Sequence, residues 1–87
     1  MDIRFSQIGE QDFGRLDNSL RILFKKHMQK LMQMPPRRHL RNGNPYFCEN
    51  VNEQARLVYQ LNGEEMLIIH CFGTHKEYER WLAGKTI

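Results

Sequence analysis

The sequence predicts a small α+β domain in which helices cover a sheet built mainly from consecutive strands. Three strand-like runs, at 46–51, 55–61 and 65–72, follow one another through short polar breaks in the second half of the chain. The first half contains a run from 20 to 34 whose apolar residues recur at helical spacing. Because 87 residues is the size of one domain, all of residues 1–87 are expected to share a core.

The first element is predicted to be a short strand at 2–6 that leads into a helix. Ile3 and Phe5 alternate with a charged residue, which is the period of a strand with one buried face. Ser6 can then cap a helix whose apolar residues extend to position 16, although Gly9 and Gly14 weaken it.

The second helix is the clearest element of the chain. It follows a turn at Asp17-Asn18-Ser19 and ends at Pro35-Pro36, because proline removes a backbone donor and disfavours helix in the residue before it. Its apolar stripe consists of Leu20, Leu23, Phe24, Met28, Leu31 and Met34. So short a turn predicts that the two helices form an antiparallel hairpin.

The second half is predicted to form a three-strand antiparallel meander and a short final helix. Residues 42–44 read Asn-Gly-Asn, a turn that ends a basic loop, and Asn62-Gly63 is a strong hairpin signal between the last two strands. Thr74 can cap a helix at 75–82, and Gly84 is a stop signal. We expect the first strand to complete the sheet, the helices to cover one face, and the exposed face to form a concave, partly basic surface.

Charge is distributed unevenly along the chain, although its formal net value is only +3. The 31 residues between Asp17 and Glu49 contain no acid and seven bases, namely Arg21, Lys25, Lys26, Lys30, Arg37, Arg38 and Arg41. The remaining 56 residues carry six bases and ten acids, a net of −4, and +7 − 4 gives +3. Such segregation indicates a surface that binds a polyanion, and an ordinary solvated helix face explains it equally well.

Composition excludes several classes of protein. The apolar runs are only a few residues long, far short of the roughly 20 that cross a membrane, and the N-terminus lacks the apolar stretch of a signal peptide. Two cysteines cannot build a disulfide framework, so a reduced, cytoplasmic protein is expected. We expect no metal and no cofactor, because there is no Gly-rich phosphate loop and the metal-ligand types lack zinc spacing. Those residues are His39, Cys48, His70, Cys71 and His75.

Two residues are candidates for chemistry. Arg56 begins a run that should be a central strand, where an arginine either faces solvent or grips a phosphate with its planar fork. His75 lies where the last strand gives way to the last helix, and it either transfers protons or is simply exposed at the helix start. Lys76 and Tyr78 follow it on the same helix.

The order of elements and two motifs resemble the RelE/ParE toxin superfamily over nearly the whole chain. The motifs are Arg56-Leu57-Val58-Tyr59 and, after the next strand, His75. The similarity is greatest to the RelE and YoeB ribosome-dependent messenger-RNA endonucleases, which carry a similar Arg-Leu-Val-Tyr run. The chain departs from YoeB-like toxins by continuing well beyond its histidine, and from RelE-like toxins by having a histidine near the place of their arginine.

The resemblance implies metal-free cleavage of RNA, in which a ribose 2′-hydroxyl attacks the adjacent phosphate. It implies that Arg56 stabilises the phosphorane and that His75 donates a proton to the leaving 5′-oxygen. Lys76 or Tyr78 would assist, as a phosphate contact or as a stacking or proton partner. The resemblance does not identify the general base, for which the choice stays open. The acids nearest in sequence are Glu49 and Glu53.

The resemblance also implies partners. The chain would be the toxin of a type II toxin–antitoxin pair, with a cognate antitoxin protein, and would act on mRNA at the ribosome. Its basic surface would bind ribosomal RNA through Lys25, Lys26, Lys30, Arg37, Arg38 and Arg41. Two alternatives remain: a non-nucleolytic, ParE-like toxin that inhibits gyrase, and a plain RNA-binding module.

Overall fold

The structure, a computed structural model of the chain, describes residues 2–33 and 46–85. The elements in chain order are β1 (Asp2–Phe5), α1 (Gln7–Arg15), α2 (Asn18–Gln33), β2 (Phe47–Asn50), β3 (Arg56–Asn62), β4 (Glu65–Phe72) and α3 (His75–Lys85). This order confirms the predicted α+β fold. The predicted helix stop at Pro35-Pro36 and the turn at 42–44 lie outside the described residues. The final helix is longer than predicted, because it continues through Gly84 to Lys85.

The four strands form one sheet in the order β1-β4-β3-β2, so β1 and β2 are its edges. Strand β3 pairs antiparallel with both β2 and β4, as the meander predicts. The expectation that the first strand joins this sheet is confirmed, and the pair it makes with β4 is parallel, with Ile3 opposite Met66. A parallel pair needs a long connection between its strands, and residues 6–64 supply it.

The larger core lies between the sheet and the first two helices. The predicted caps start both helices, since Ser6 Oγ accepts a hydrogen bond from Gly9 N (2.9 Å) and Asp17 Oδ1 accepts one from Leu20 N (2.8 Å). The buried residues of this core are Leu16, Phe24, Met28, Leu31, Val51, Ala55, Leu57, Tyr59, Met66, Ile68 and Cys71. The predicted stripe of α2 therefore faces the sheet from Leu20 to Leu31, and its last member, Met34, lies outside the described residues.

A second, smaller core lies on the opposite face, which was expected to be open. Val58 and Phe72 point to this face, and Tyr78 and Trp81 of α3 pack over them. The helices therefore cover both faces rather than one. The physical reason is that β3 and β4 carry apolar side chains on both sides, and an apolar sheet face must be buried against another element.

Candidate active site

The site predicted from sequence lies at the end of the sheet where β3 begins and β4 ends. Arg56 is the first residue of β3 and lies opposite Phe72, the last residue of β4. His75 starts α3 only three positions beyond Phe72. The antiparallel pairing of β3 with β4 thus brings together two residues that are well separated in sequence.

The Arg56 side chain is half-buried and held by the turn that precedes it. Its Nη1 donates to the backbone oxygen of Asn52 at 2.9 Å and to that of Ala55 at 3.0 Å. As the cross-strand partner of Phe72, Arg56 lies on the sheet face that α3 covers. A guanidinium has five N–H donors, so donors remain for an anionic group.

His75 is placed by the cap of α3. Thr74 Oγ1 accepts a hydrogen bond from Glu77 N (3.2 Å) and donates one to the Glu77 carboxylate (3.0 Å), so the helix begins at His75. The ring Nδ1 lies 2.9 Å from Glu79 Oε1, one helical turn away, and 42% of the side chain is exposed. The carboxylate at Nδ1 orients the ring, so Nε2 is the nitrogen that can meet a substrate.

Lys76 and Tyr78 are placed differently from each other. Lys76 is exposed on α3, directly after His75. Tyr78 is only 8% exposed, and its ring centre lies 6.1 Å from that of Phe72 and 6.0 Å from that of His75. The tyrosine ring therefore packs α3 against the sheet beside His75, and little of the ring face is exposed for stacking with a nucleobase.

The two acids considered as general bases lie in different places. Glu49 is the cross-strand partner of Leu57, on the sheet face covered by α2, and its Oε2 lies 2.8 Å from His27 Nδ1 and 3.9 Å from Lys30 Nζ. Its carboxylate is thus on the opposite face from Arg56. Glu53 is exposed in the turn between β2 and β3, at the same end of the sheet as Arg56.

Sequence reasoning missed a buried acid–histidine pair beside this site. Asp12 of α1 is 7% exposed, and its Oδ2 lies 2.8 Å from His70 Nδ1 and accepts a hydrogen bond from Cys71 N (3.2 Å). Because β1 ends at Phe5, opposite Ile68, this carboxylate takes the place of a strand at the outer edge of β4. The weak signal in the sequence is an acid in a helix that directly follows a short edge strand.

Burial in this region also raises the pKa of the Cys71 thiol to about 12, with a further contribution from the Asp12 carboxylate. A groove of about 640 Å³ opens beside the pair and extends to Thr74, the residue before His75. In the same larger core, burial raises the pKa of Tyr59 to about 12, with a smaller contribution from Glu49.

The predicted RNA-binding residues are described only in part. Lys25, Lys26 and Lys30 are exposed on α2, and Lys25 Nζ lies 6.0 Å from the centre of the Phe13 ring. This contact places one side chain of α2 beside α1, in keeping with the predicted helical hairpin. The other predicted bases, Arg37, Arg38 and Arg41, lie outside the described residues.

Residues 2–33 and 46–85 contain neither a membrane-spanning helix nor a cluster of metal ligands. No helix in these segments is long and apolar enough to cross a bilayer. No group of three or more His, Cys, Asp or Glu side chains in them could hold a metal ion.

Comparison with known proteins finds similarity in structure. No protein-family model matches the chain, and no curated protein sequence matches it. The isolated E. coli RelE toxin is 18% identical, with a TM-score of 0.72 over 93% of this chain and 94% of that one. The intact E. coli RelBE toxin–antitoxin complex is 21% identical, with a TM-score of 0.70 over 80% of this chain and 92% of that one. The YoeB/ParE toxin from Agrobacterium tumefaciens is 14% identical, with a TM-score of 0.69 over 83% of this chain and 96% of that one. At these identities the likeness is one of fold.

Proposed function

We propose, on the premise that this chain has the fold of the RelE/ParE toxin superfamily, that it is the toxin of a type II toxin–antitoxin pair. The toxin would be a metal-independent endoribonuclease that cleaves mRNA on the ribosome in the cytoplasm and so inhibits translation. The observation that carries this proposal is the placement of Arg56 and His75 at the same end of the β3–β4 pair.

The proposed reaction needs a base, an acid and positive charge around the phosphorus. The 2′-oxygen attacks the phosphorus and the bond to the 5′-oxygen breaks, which leaves a 2′,3′-cyclic phosphate and a 5′-hydroxyl. Arg56 stabilises the crowded phosphorane with its free donors, and His75 gives its proton to the departing 5′-oxygen. Lys76 contacts a neighbouring phosphate, and Tyr78 keeps α3 seated on the sheet.

Of the two acids that sequence left open, Glu53 fits the role of base better than Glu49. The Glu49 carboxylate contacts His27 on the sheet face opposite Arg56. Glu53 is exposed in the turn that immediately precedes Arg56. Activity should therefore survive Glu49→Gln better than Glu53→Gln, when both variants are compared in the same cleavage assay.

The main experiment measures cleavage of a defined message on purified ribosomes. His75→Ala should slow cleavage roughly 100-fold, because general acid catalysis contributes about that much or more. The matched control is His27→Ala, which removes a histidine on the other face of the sheet and should leave the rate nearly unchanged. The 5′ ends of the products should accept phosphate from a polynucleotide kinase without prior treatment, since they carry hydroxyls.

Three outcomes would contradict this reading. A wild-type rate in His75→Ala would remove His75 from the chemistry. Growth arrest with intact messages and altered DNA supercoiling would favour the gyrase-inhibiting alternative, and an absence of toxicity would favour a plain RNA-binding module.

The lysines of α2 would carry the contact with ribosomal RNA. Lys25, Lys26 and Lys30 are exposed along one helix, and phosphate contacts of this kind weaken steeply with salt. Replacing all three by Gln should weaken ribosome binding and flatten its salt dependence by about one unit per lost phosphate contact. The proposed antitoxin partner rests on the likeness to RelBE, which is a toxin–antitoxin complex.

A further inference from the structure

The turn between β2 and β3, residues 51–55, is held by hydrogen bonds within it. Its two ends are anchored in the larger core, since Val51 is 6% and Ala55 0% exposed, and Val51 N donates to the Ala55 oxygen at 3.0 Å. Between them, Asn52 Oδ1 accepts hydrogen bonds from Gln54 N (2.8 Å) and Ala55 N (2.7 Å). One asparagine side chain therefore holds the turn in a single conformation.

This turn fixes the position of Arg56. Of the two turn carbonyls that receive Nη1, that of Ala55 also accepts from Val51 N, and that of Asn52 belongs to the residue whose side chain accepts from Gln54 N and Ala55 N. Within the described segments both Arg56 side-chain bonds leave from Nη1, so Nε and Nη2 keep their donors for a phosphate. Because these hydrogen bonds already restrict the Arg56 side chain, it loses less conformational entropy on binding a phosphate than a free arginine would.

The same turn also reaches α3. Gln54 Oε1 accepts a hydrogen bond from the backbone N–H of His75 at 3.4 Å. The first N–H groups of a helix have no partner within the helix, so this amide oxygen supplies one for α3. Within one turn, Asn52 and Ala55 thus contact Arg56, and Gln54 contacts His75, the candidate acid.

We propose that Asn52 and Gln54 are positioning residues, which set the guanidinium of Arg56 and the start of α3 at a fixed separation for the cleavage reaction. This inference rests on the proposed function. Asn52 acts through Arg56, by holding the carbonyls that the guanidinium binds. Gln54 acts through His75, by fixing the backbone from which the imidazole projects.

The test is a set of variants in the ribosome cleavage assay. Asn52→Ala should lower kcat about 10- to 100-fold with little change in KM, because misplacing a catalytic group by about 1 Å costs on that scale. Asn52→Asp should restore most of the rate, since a carboxylate accepts the same two N–H bonds. Asn62→Ala, at the exposed last residue of β3, is the matched control and should behave like the wild type. Gln54→Ala should lower kcat, and Gln54→Glu should keep most of it.

A double-mutant cycle separates positioning from general damage. If Asn52 acts through Arg56, Asn52→Ala should cost nothing further in an Arg56→Ala background. Fully additive losses, or a rise in KM with kcat unchanged, would overturn the proposal.

An NMR experiment tests the positioning role independently of cleavage. If the wild-type protein cleaves no message, the proposed function fails, but the NMR experiment still tests whether Asn52 positions Arg56. Rotation of the Arg56 guanidinium is read by ¹⁵N NMR. The wild type and Asn52→Asp should show restricted rotation with two resolved Nη signals, and Asn52→Ala should show one averaged signal. Identical spectra for Asn52→Ala and the wild type would overturn the positioning role.

Discussion

Gly9 permits the close approach of α1 to the sheet, and replacing it gives a sharp test of the fold. A Cβ at this position would lie 2.3 Å from the backbone oxygen of Ile68 and 3.1 Å from Ser6 Oγ. Gly14, in the same helix, would place its Cβ in open space, with nothing within 4 Å. The same substitution at the two positions should therefore have opposite effects.

The size of the effect follows from these distances. In Gly9→Ala the helix must retreat by at least 0.7 Å, the difference between 2.3 Å and the 3.0 Å that real Cβ contacts respect. The retreat strains the bond from Ser6 N to the Ile68 oxygen, which is 2.9 Å long. Overpacking costs about 1–3 kcal/mol and the lost bond about 1, while the better helix propensity of alanine returns up to about 1. These terms sum to a net loss of about 1–4 kcal/mol, with about 2–3 kcal/mol at the centre of the range.

In Gly14→Ala only the helix propensity acts, so the protein should gain about 0.5–1 kcal/mol. Thermal unfolding followed by circular dichroism measures both variants. For a domain of this size, Gly9→Ala should lower Tm by about 10–20 °C and Gly14→Ala should raise it by about 2–8 °C. An equal rise in Tm for both variants would show that α1 does not lie against Ile68 and would refute the reasoning.

Further predictions concern the buried polar groups. Asp12→Ala leaves the Cys71 N–H and His70 Nδ1 without their acceptor, so the free energy of unfolding in urea should fall by about 3 kcal/mol. Asp12→Asn should lower it by only about 1 kcal/mol, because the amide oxygen still accepts a hydrogen bond. A loss below about 1 kcal/mol for Asp12→Ala would contradict this prediction. The control is Glu10→Ala, at an exposed position of the same helix, which should change the free energy of unfolding by less than about 0.5 kcal/mol. The pKa values of Cys71 and Tyr59 rise from 9.0 and 10.0 to about 12 on folding. The unfolded chain therefore loses these two protons first, and the two groups should lower the urea midpoint as the pH rises from 9 to 12 while contributing no change below pH 9. A midpoint that stays constant to pH 12 would show that these groups are not protected.

Features with a local cause were predictable from the sequence. The apolar spacing of α2 reflects a helix with one buried face, and Phe24 and Met28 are indeed buried. The Asn62-Gly63 signal arises because a tight hairpin needs a residue with positive φ, and Gly63 has φ of 55°. The caps at Ser6 and Thr74 likewise depend only on neighbouring backbone donors.

Features that depend on distant partners could not be predicted in the same way. Gly9 and Gly14 are equivalent by helix propensity, and only the position of Ile68 distinguishes them. The side of the sheet taken by α3 depends on which face the first two helices leave uncovered. Asp12 is unremarkable in a sequence, because its importance comes from the edge of β4 that β1 is too short to cover.

The alternation of β3 separates the proposed binding surface from the proposed chemistry. Leu57 and Tyr59 face the layer of α1 and α2, whereas Arg56 lies with Val58 on the face of α3. The exposed lysines of α2 and the fork of Arg56 therefore belong to different layers of the domain. Substitutions on α2 should then act on ribosome affinity and its salt dependence, whereas substitutions at the β2–β3 turn should act on kcat. The alternation that makes Glu49 a poor partner for Arg56 thus makes the two steps of the proposed function separable by mutation.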